Sequence, residues 1–208
     1  MFIMITTIAI LSQKGGSGKT TLALALAAAH ETAGHTAAVI DLDVQGSAVT
    51  WGRLRDSESP PVIPAHPPRL TRVIAAAQEG GASLVVIDTA PREAGGTVAA
   101  ARAADLVLVA CRPSAVDLAT VPTSLAVVEP TKARVFVVLN GCPPRGSWTA
   151  EAVDAVRSFG AAPCPVTIGT RVAHARAFTV GCTAQEIEPK SRAAQEVTDL
   201  YGWIMEVI

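Results

Sequence analysis

The chain has 208 residues, of which 50% are hydrophobic, 4% are aromatic and 17% are charged, and its formal net charge is −1. This length predicts one domain over residues 1–208, with a large core built from aliphatic side chains. A net charge so close to zero excludes a globally basic protein that coats nucleic acid, so any contact with nucleic acid has to come from a local patch.

Short apolar runs alternate with helical patterns along the whole sequence. The predicted strands are Thr6–Ser12, Ala37–Leu42, Leu84–Asp88, Leu106–Cys111, Val135–Asn140 and Pro165–Ile168. The predicted helices are Lys19–Thr32, Leu70–Gln78, Gly95–Ala103, Val116–Val127, Ala150–Phe159 and Ser191–Glu206. This alternation predicts an α/β fold, with a mainly parallel twisted sheet flanked by helices on both faces. Ligands of such folds bind at the carboxyl ends of the strands.

Two stretches have a predicted role in the fold alone. Residues 57–68 are rich in proline, which is excluded from central strands and helix interiors, so we interpret them as a surface connection. The final predicted helix has one apolar face at helical spacing, which predicts packing on the sheet. A membrane-binding tail is the alternative, but anionic lipid would repel the acidic residues beside that face, so we expect no membrane partner. The members of the apolar face are Ala193, Val197, Leu200, Ile204 and Val207.

The cysteines and the N-terminus predict a cytoplasmic protein. The four cysteines form no CxxC pair and have no zinc-finger spacing, which is typical of buried thiols in a reducing compartment. The apolar run before residue 12 lacks the features of a signal peptide, and no apolar run is long enough to span a membrane.

The sequence between the first predicted strand and the first predicted helix is Gln-Lys-Gly-Gly-Ser-Gly-Lys-Thr-Thr, residues 13–21. A glycine-rich turn in this context predicts a phosphate-binding loop, whose backbone N–H groups and helix N-terminus surround phosphate oxygens. Lys19 is placed to reach the β- and γ-phosphates of ATP, and Thr20 to ligate Mg²⁺. The strict motif has glycine where this chain has Gln13. The predicted nucleotide-binding residues of the loop are Lys14, Gly15, Gly16, Ser17, Gly18, Lys19, Thr20 and Thr21.

Carboxylates follow two of the predicted strands. Asp41 and Asp43 point to the same side of the chain, because side chains of a strand alternate with a period of two. At a strand end beside the loop they could position Mg²⁺ waters or an attacking water, although either could instead cap the following short helix. Asp88 follows four apolar residues, as in a Walker B element, and is predicted to hold the Mg²⁺ shell.

Three motifs carry a resemblance to a known family. The form Lys-Gly-Gly-x-Gly-Lys-Thr-Thr, with its early lysine Lys14, resembles the deviant Walker A motif of the ParA/MinD family of ATPases. Residues 41–45 are similar to the family's Asp-x-Asp-Pro-Gln motif, with Val44 in place of proline, and residues 88–91 to its Asp-x-x-Pro motif. The likeness covers nearly the whole chain and is strongest to short, single-domain plasmid-partition proteins of the ParA type (ParF-like).

The resemblance implies roles for individual residues. Lys14 would reach across a dimer interface to the partner's nucleotide, and Asp43 would orient the hydrolytic water. The catalytic residues would thus be Lys14, Lys19 and Asp43, and the metal site would comprise Thr20, Asp43 and Asp88. Asn140 would recognise adenine, although an asparagine before glycine is also a common turn former.

The resemblance also implies a DNA contact in the last quarter of the chain. Similar proteins bind non-specific DNA there, through basic residues brought together on the ATP-bound dimer. Such phosphate contacts are strongly salt-dependent, and a solvated surface is the alternative. The candidate residues are Arg171, Arg176, Lys190 and Arg192.

The implied function is an ATPase that partitions DNA. An ATP-bound sandwich dimer would bind the nucleoid, and slow hydrolysis, stimulated by a centromere-binding protein, would drive plasmid or chromosome segregation. The same ATPase mechanism could instead position a protein cargo, such as a carboxysome, through an adaptor protein. No residue in the sequence distinguishes a DNA cargo from a protein cargo. A metabolic P-loop enzyme is a third alternative, but a ligase has little use for Lys14, and no cysteine arrangement suits the cluster of an Fe–S carrier.

Overall fold

A computed structural model describes residues 5–208, and residues 1–4 of the predicted domain lie outside the described part of the chain. The strands are β1 (Thr6–Leu11), β2 (Ala37–Asp41), β3 (Val62–Pro64), β4 (Leu84–Asp88), β5 (Leu106–Cys111), β6 (Arg134–Cys142) and β7 (Ile168–Gly169). The helices are α1 (Lys19–Thr32), α2 (Ser47–Leu54), α3 (Leu70–Glu79), α4 (Ala94–Ala103), α5 (Ala115–Leu118), α6 (Val121–Val128), α7 (Trp148–Ser158), α8 (Val172–Thr179), α9 (Ala184–Ile187) and α10 (Arg192–Val207). A 3₁₀ turn, Pro67–Arg69, precedes α3.

The strands form one sheet in the order β3-β2-β4-β1-β5-β6-β7, and every neighbouring pair is parallel. The predicted parallel α/β fold is therefore confirmed. Because β1 lies between β4 and β5, the loop that follows β1 opens between the carboxyl ends of two other strands. Parallel sheets are buried on both faces, which explains why the central strands are continuous apolar runs.

Two hydrophobic clusters cover the two faces of the sheet, as the sequence predicts. Ile8 and Ile10 of β1 pack into one cluster with α1 and α10, while Ala9 and Leu11 pack into the other with α3, α4, α6 and α7. The final helix packs through its apolar face, in which Ala193, Val197, Leu200 and Ile204 are buried. The core-packing interpretation of this helix is thus confirmed. Within residues 5–208, the structure has no helix that could cross a membrane.

Several elements differ from their predicted bounds by one or two residues at an end, and three differences in the second half of the chain have a structural cause or change the sheet. The prediction of one helix over Val116–Val127 is wrong, because the helix is interrupted between α5 and α6. Pro122 lies in the first turn of α6, where a backbone N–H would have no partner within the helix. Strand β6 does not end at Asn140 but continues to Cys142 through an irregularity at Gly141, whose φ is 69°. The last strand is Ile168–Gly169 instead of Pro165–Ile168.

The proline-rich stretch is more than the predicted surface connection. Residues Val62–Pro64 form β3, which pairs with Val39–Asp41 at the edge of the sheet. An edge position tolerates proline, since one side of the strand makes no ladder hydrogen bonds. Helix α2 was expected only as a short helix after Asp43, without bounds, and helices α8 and α9 were not predicted, because each is too short for a clear period.

A clamp joins α2 to the turn between α8 and α9. The indole Nε1 of Trp51 donates a 2.9 Å hydrogen bond to the carbonyl of Cys182, and Arg55 donates to the carbonyl of Gly181 at 3.0 Å and to Glu186 at 2.5 Å. Gly181 has a φ of 66°, and a Cβ placed on it would lie 2.5 Å from the Cα of Arg55. Only glycine therefore fits where these two backbones meet.

Gly181→Ala should lower the free energy of unfolding by about 1–3 kcal/mol, because the added methyl group forces α2 away from the α8–α9 turn. Urea unfolding followed by circular dichroism measures the loss. The matched control is Gly202→Ala in α10, where an added Cβ meets nothing within 4 Å. This control should gain about 0.5–1 kcal/mol through helix propensity, and equal effects of the two substitutions would contradict the proposed close contact.

Candidate functional site

The phosphate loop connects β1 to α1, as predicted, and its conformation depends on two glycines. Gly16 and Gly18 have φ values of 77° and 88°, in the left-handed region that favours glycine. Lys19 begins α1 and is buried, and its Nζ lies 3.4 Å from the carbonyl oxygen of Lys14, the residue at the start of the loop. Burial lowers the pKa of Lys19, while the charges of Asp88 and Asp43 act in the opposite direction. The ammonium therefore points across the opening that the loop encloses.

The end of β4 is bound to the start of α1. The Thr20 hydroxyl donates a 2.6 Å hydrogen bond to Oδ2 of Asp88, and burial raises the pKa of Asp88 to about 7. The other oxygen, Oδ1, is buried and has no hydrogen-bond partner among residues 5–208, and the same is true of Oγ of Ser17. Buried oxygens that lack partners are rare, and carboxylate and hydroxyl oxygens are the donors that Mg²⁺ prefers. Thr20 and Asp88 thus fit the predicted metal site.

The two aspartates after β2 have different environments. Asp41 is buried and accepts hydrogen bonds from the backbone N–H groups of Asp43, at 2.9 Å, and Val49, at 3.1 Å. It therefore holds the β2–α2 loop and caps α2, which is the alternative role considered for it. Asp43 is half-buried, and only its Oδ1 has a partner within residues 5–208, the N–H of Gln45 at 2.9 Å. Asp43 is thus the carboxylate that has an oxygen available to accept a hydrogen bond from water.

Asn140 contacts the phosphate loop directly. Its Nδ2 donates a 2.6 Å hydrogen bond to the carbonyl of Ser17, and its Oδ1 accepts from the N–H of Gly141 at 2.9 Å. The side chain therefore fixes the loop from the side opposite Asp88. One N–H and one lone pair of the amide are left over, so recognition of adenine by Asn140 stays a prediction.

A cavity of about 530 Å³ lies beside the loop, lined by Gly16, Gly18, Asn140, Arg112 and His174. Its volume falls in the range of about 300–1,000 Å³ that is usual for small-molecule sites. The sequence analysis missed Arg112 and His174. Arg112 follows the carboxyl end of β5, a position that could have drawn attention to it, whereas His174 lies on the unpredicted helix α8 and gave no signal. Burial lowers the pKa of His174, and its Nε2 is buried without a partner in the described chain.

Lys14 forms an ion pair within its own chain. Its Nζ lies 3.5 Å from Oδ2 of Asp117, at the start of α5, and its side chain is 30% exposed. Asp117 also accepts a hydrogen bond from the Ser114 hydroxyl, which orients the carboxylate. Nothing in the sequence indicated this partner, because the contact joins residues separated by several strands.

The four candidate DNA residues do not form one free basic patch. Arg171 and Arg192 share a carboxylate, with contacts of 2.5 Å and 3.6 Å to Oε1 of Glu196, and Arg171 also lines the cavity beside Asn140. Arg176 and Lys190 are exposed, and neither has a carboxylate partner in the part of the chain that the structure describes. The single negative charge of Glu196 thus offsets one of the two positive charges of Arg171 and Arg192.

Residues 8–202 match the family model of the CobQ/CobB/MinD/ParA nucleotide binding domain. The chain belongs to this family. The resemblance to ParA/MinD proteins is therefore confirmed, while the ParF-like subtype stays a prediction.

Relatives of this nucleotide-binding domain agree in length with the chain. This chain is 33% identical over 204 residues to the maintenance of carboxysome distribution protein A of Gloeobacter kilaueensis. The aligned region covers 92% of this chain and 93% of the relative. Its fold matches that of the septum site-determining protein MinD of Pyrococcus horikoshii, solved with Mg-ADP, at a TM-score of 0.80 and 18% identity over 98% and 97% of the two chains. Cyanothece apo McdA matches at a TM-score of 0.77 and 16% identity over 97% and 99%.

Gly18→Ala should abolish nucleotide binding, because the added Cβ would overlap the Asn140 side chain that fixes the loop. We expect the affinity for a fluorescent ATP analogue, measured by anisotropy, to fall at least about 100-fold, the effect of losing close to 3 kcal/mol. Gly15→Ala is the matched control, since a Cβ there meets nothing within 4 Å and its φ is not positive. An affinity loss for Gly15→Ala as large as that for Gly18→Ala would contradict this explanation.

Proposed function

We propose that the chain is an ATP- and Mg²⁺-dependent switch whose ATP-bound dimer positions a large cargo along DNA. The observation that carries the proposal is the second lysine of the phosphate loop. Lys14 is not needed to hold a nucleotide in its own loop, and it lies partly exposed in an ion pair with Asp117. A pair of this exposure contributes no more than about 1 kcal/mol, so the lysine can leave it for a stronger anion.

The chemistry follows from the residues around the loop. Backbone N–H groups and Lys19 would hold the phosphates of ATP, and Thr20 and Asp88 would hold Mg²⁺, which neutralises phosphate charge when bound. Asp43 would orient a water molecule towards the γ-phosphate through its unpartnered oxygen. Lys14 of the second subunit would add positive charge where negative charge develops in the transition state. Hydrolysis is slow in this arrangement until the second subunit is in place.

Exposed apolar side chains support a dimer that forms across the loop. Val44, Val116 and Trp148 are 83%, 65% and 62% exposed, and they follow the carboxyl ends of β2, β5 and β6 respectively. These ends lie at the same edge of the parallel sheet as the phosphate loop. Apolar surface of this kind is typical of a protein–protein contact. Two copies that meet at this edge would cover it and bring each Lys14 towards the other nucleotide.

The relative of 33% identity favours a protein assembly as cargo. It is named for the maintenance of carboxysome distribution. We therefore propose, in place of plasmid or chromosome segregation, that an adaptor protein links this switch to a large protein assembly of the carboxysome class. The dimer would hold non-specific DNA through Arg176 and Lys190, and through Arg171 and Arg192 where Glu196 leaves charge uncompensated. On this proposal, we expect the protein on the nucleoid, in the cytoplasm.

Multi-angle light scattering with ATP and Mg²⁺ should show a dimer for the natural chain and a monomer for Lys14→Ala, because only the second subunit's lysine links the two sites. Asp43→Ala should stay dimeric for longer, since hydrolysis is slowed. Lys132→Ala, which removes another exposed lysine, is the matched control and should dimerise normally. An oligomeric state that is the same with and without nucleotide would refute the switch.

DNA binding should appear only with ATP and should weaken steeply as salt is raised. In an electrophoretic shift with random-sequence duplex, Arg176→Ala combined with Lys190→Ala should weaken binding about tenfold or more, while leaving the dimer intact. Arg157→Ala is the control, because that arginine lies on α7 and pairs with Asp154. If a confirmed dimer gives no shift at low salt, the DNA part of the proposal is wrong and a nucleotide switch without DNA remains.

A further inference from the structure

A groove runs beside the edge strand β3 and reaches the β2–α2 loop. It consists of two cavities that share Arg69 in their walls. One, of about 490 Å³, lies between α3 and the start of strands β2 and β3, and the other, of about 590 Å³, lies between the β2–α2 loop and the 3₁₀ turn. Because both contain Arg69, we treat them as one feature and call it the β3 groove.

The first half of the β3 groove is apolar. Its walls include Ala38 and Ile63 from the sheet and Val73, Ala76 and Ala77 from α3. Arg72, in the first turn of α3, is the one further charged residue beside Arg69 among the described residues of this wall. This half can take apolar side chains but does not by itself say what binds there.

The second half of the β3 groove is basic. Arg53 and Arg69 line it with exposed guanidinium groups beside the exposed ring of His66, while Asp41 and Asp43 lie in its inner wall. Neither arginine has a carboxylate within ion-pair distance in the chain from residue 5 onward, and neither does Arg72. By contrast, Arg55 is paired with Glu186 across the clamp. Unpaired cations gathered in one concavity of a chain whose net charge is −1 indicate an anionic ligand.

The inner wall of the basic half belongs to the β2–α2 loop. Asp43 and Val44 line it, and Val44 is 83% exposed. An occupant of this half therefore lies beside the two arginines Arg53 and Arg69 and next to Asp43, the carboxylate that orients water in the proposed mechanism.

A protein segment fits this chemistry better than nucleic acid does. The phosphate backbone of DNA has no apolar group to fill the cavity of 490 Å³, which adjoins the arginines of the basic half. Carboxylates, in contrast, form bidentate pairs with arginine, and neighbouring aliphatic side chains would enter the apolar half. We propose that the β3 groove binds a segment of a partner protein with apolar side chains in one half and carboxylates in the other. The identification of this partner with the cargo adaptor rests on the proposed function, whereas the chemistry of the groove does not.

The test uses fluorescence anisotropy with the full chain free of nucleotide. The probe is a labelled synthetic peptide with a leucine-rich half and a glutamate-rich half. It should bind, and Arg53→Ala combined with Arg69→Ala should weaken binding at least about tenfold, the loss expected for one charge-assisted hydrogen bond. Ala76→Trp, which fills the apolar half from an exposed position, should weaken it similarly. Arg102→Ala, on α4 outside the groove, is the matched control and should bind normally.

Three results would overturn the proposal. One is absence of binding, or equal binding by all variants. Another is equal binding of a peptide with lysine in place of glutamate. A third is ATP-dependent binding of random-sequence duplex that is lost with the Arg53 and Arg69 substitutions, which would assign the groove to nucleic acid. ATP-dependent dimerisation of the same samples, measured by light scattering, tests the proposed function separately, because the peptide assay needs no nucleotide.

Discussion

The hydrogen bond from the Thr20 hydroxyl to Asp88, at 2.6 Å, is the contact on which the arrangement of the site depends. It joins the first turn of α1 to the end of β4, while Asn140 holds the loop through the Ser17 carbonyl from the end of β6. Fixed from both sides, the loop has its N–H groups oriented before any ligand arrives. The same bond leaves one buried Asp88 oxygen without a partner, so the protein carries the desolvation cost of that oxygen until a cation is near.

Features set by neighbouring residues were predictable from the sequence, and features set by distant ones were not. The central strands follow from continuous apolar runs, and the phosphate loop from a local glycine pattern. The pair of Lys14 with Asp117 and the clamp of Arg55 on Glu186 join residues far apart in the chain, so no spacing rule reveals them. Strand β3 was missed because proline is a poor strand residue, and only its edge position, a property of the whole sheet, makes it acceptable.

Charge pairing changes the interpretation of the surface. The family resemblance implied a DNA contact through four basic residues of the last quarter, but Glu196 binds two of them, Arg171 and Arg192. Unpaired arginines lie instead beside β3, next to the loop that carries Asp43. Asp41 and Asp43 illustrate the same principle at short range, since both oxygens of Asp41 accept backbone hydrogen bonds, whereas only Oδ1 of Asp43 does so in the described chain.

The central claim is that each subunit lends Lys14 to the other's nucleotide, and mixing two inactive variants tests it most directly. The Lys14→Ala variant keeps Lys19 for its own nucleotide but has no Lys14 to contact the nucleotide of the other subunit. The Lys19→Ala variant lacks Lys19 in its own site but still has Lys14 for the other subunit. Their heterodimer therefore contains one complete site if Lys14 acts in the other subunit. Steady-state ATP hydrolysis by the mixture should clearly exceed the sum of the two variants measured alone. Hydrolysis no greater than that sum would contradict the account.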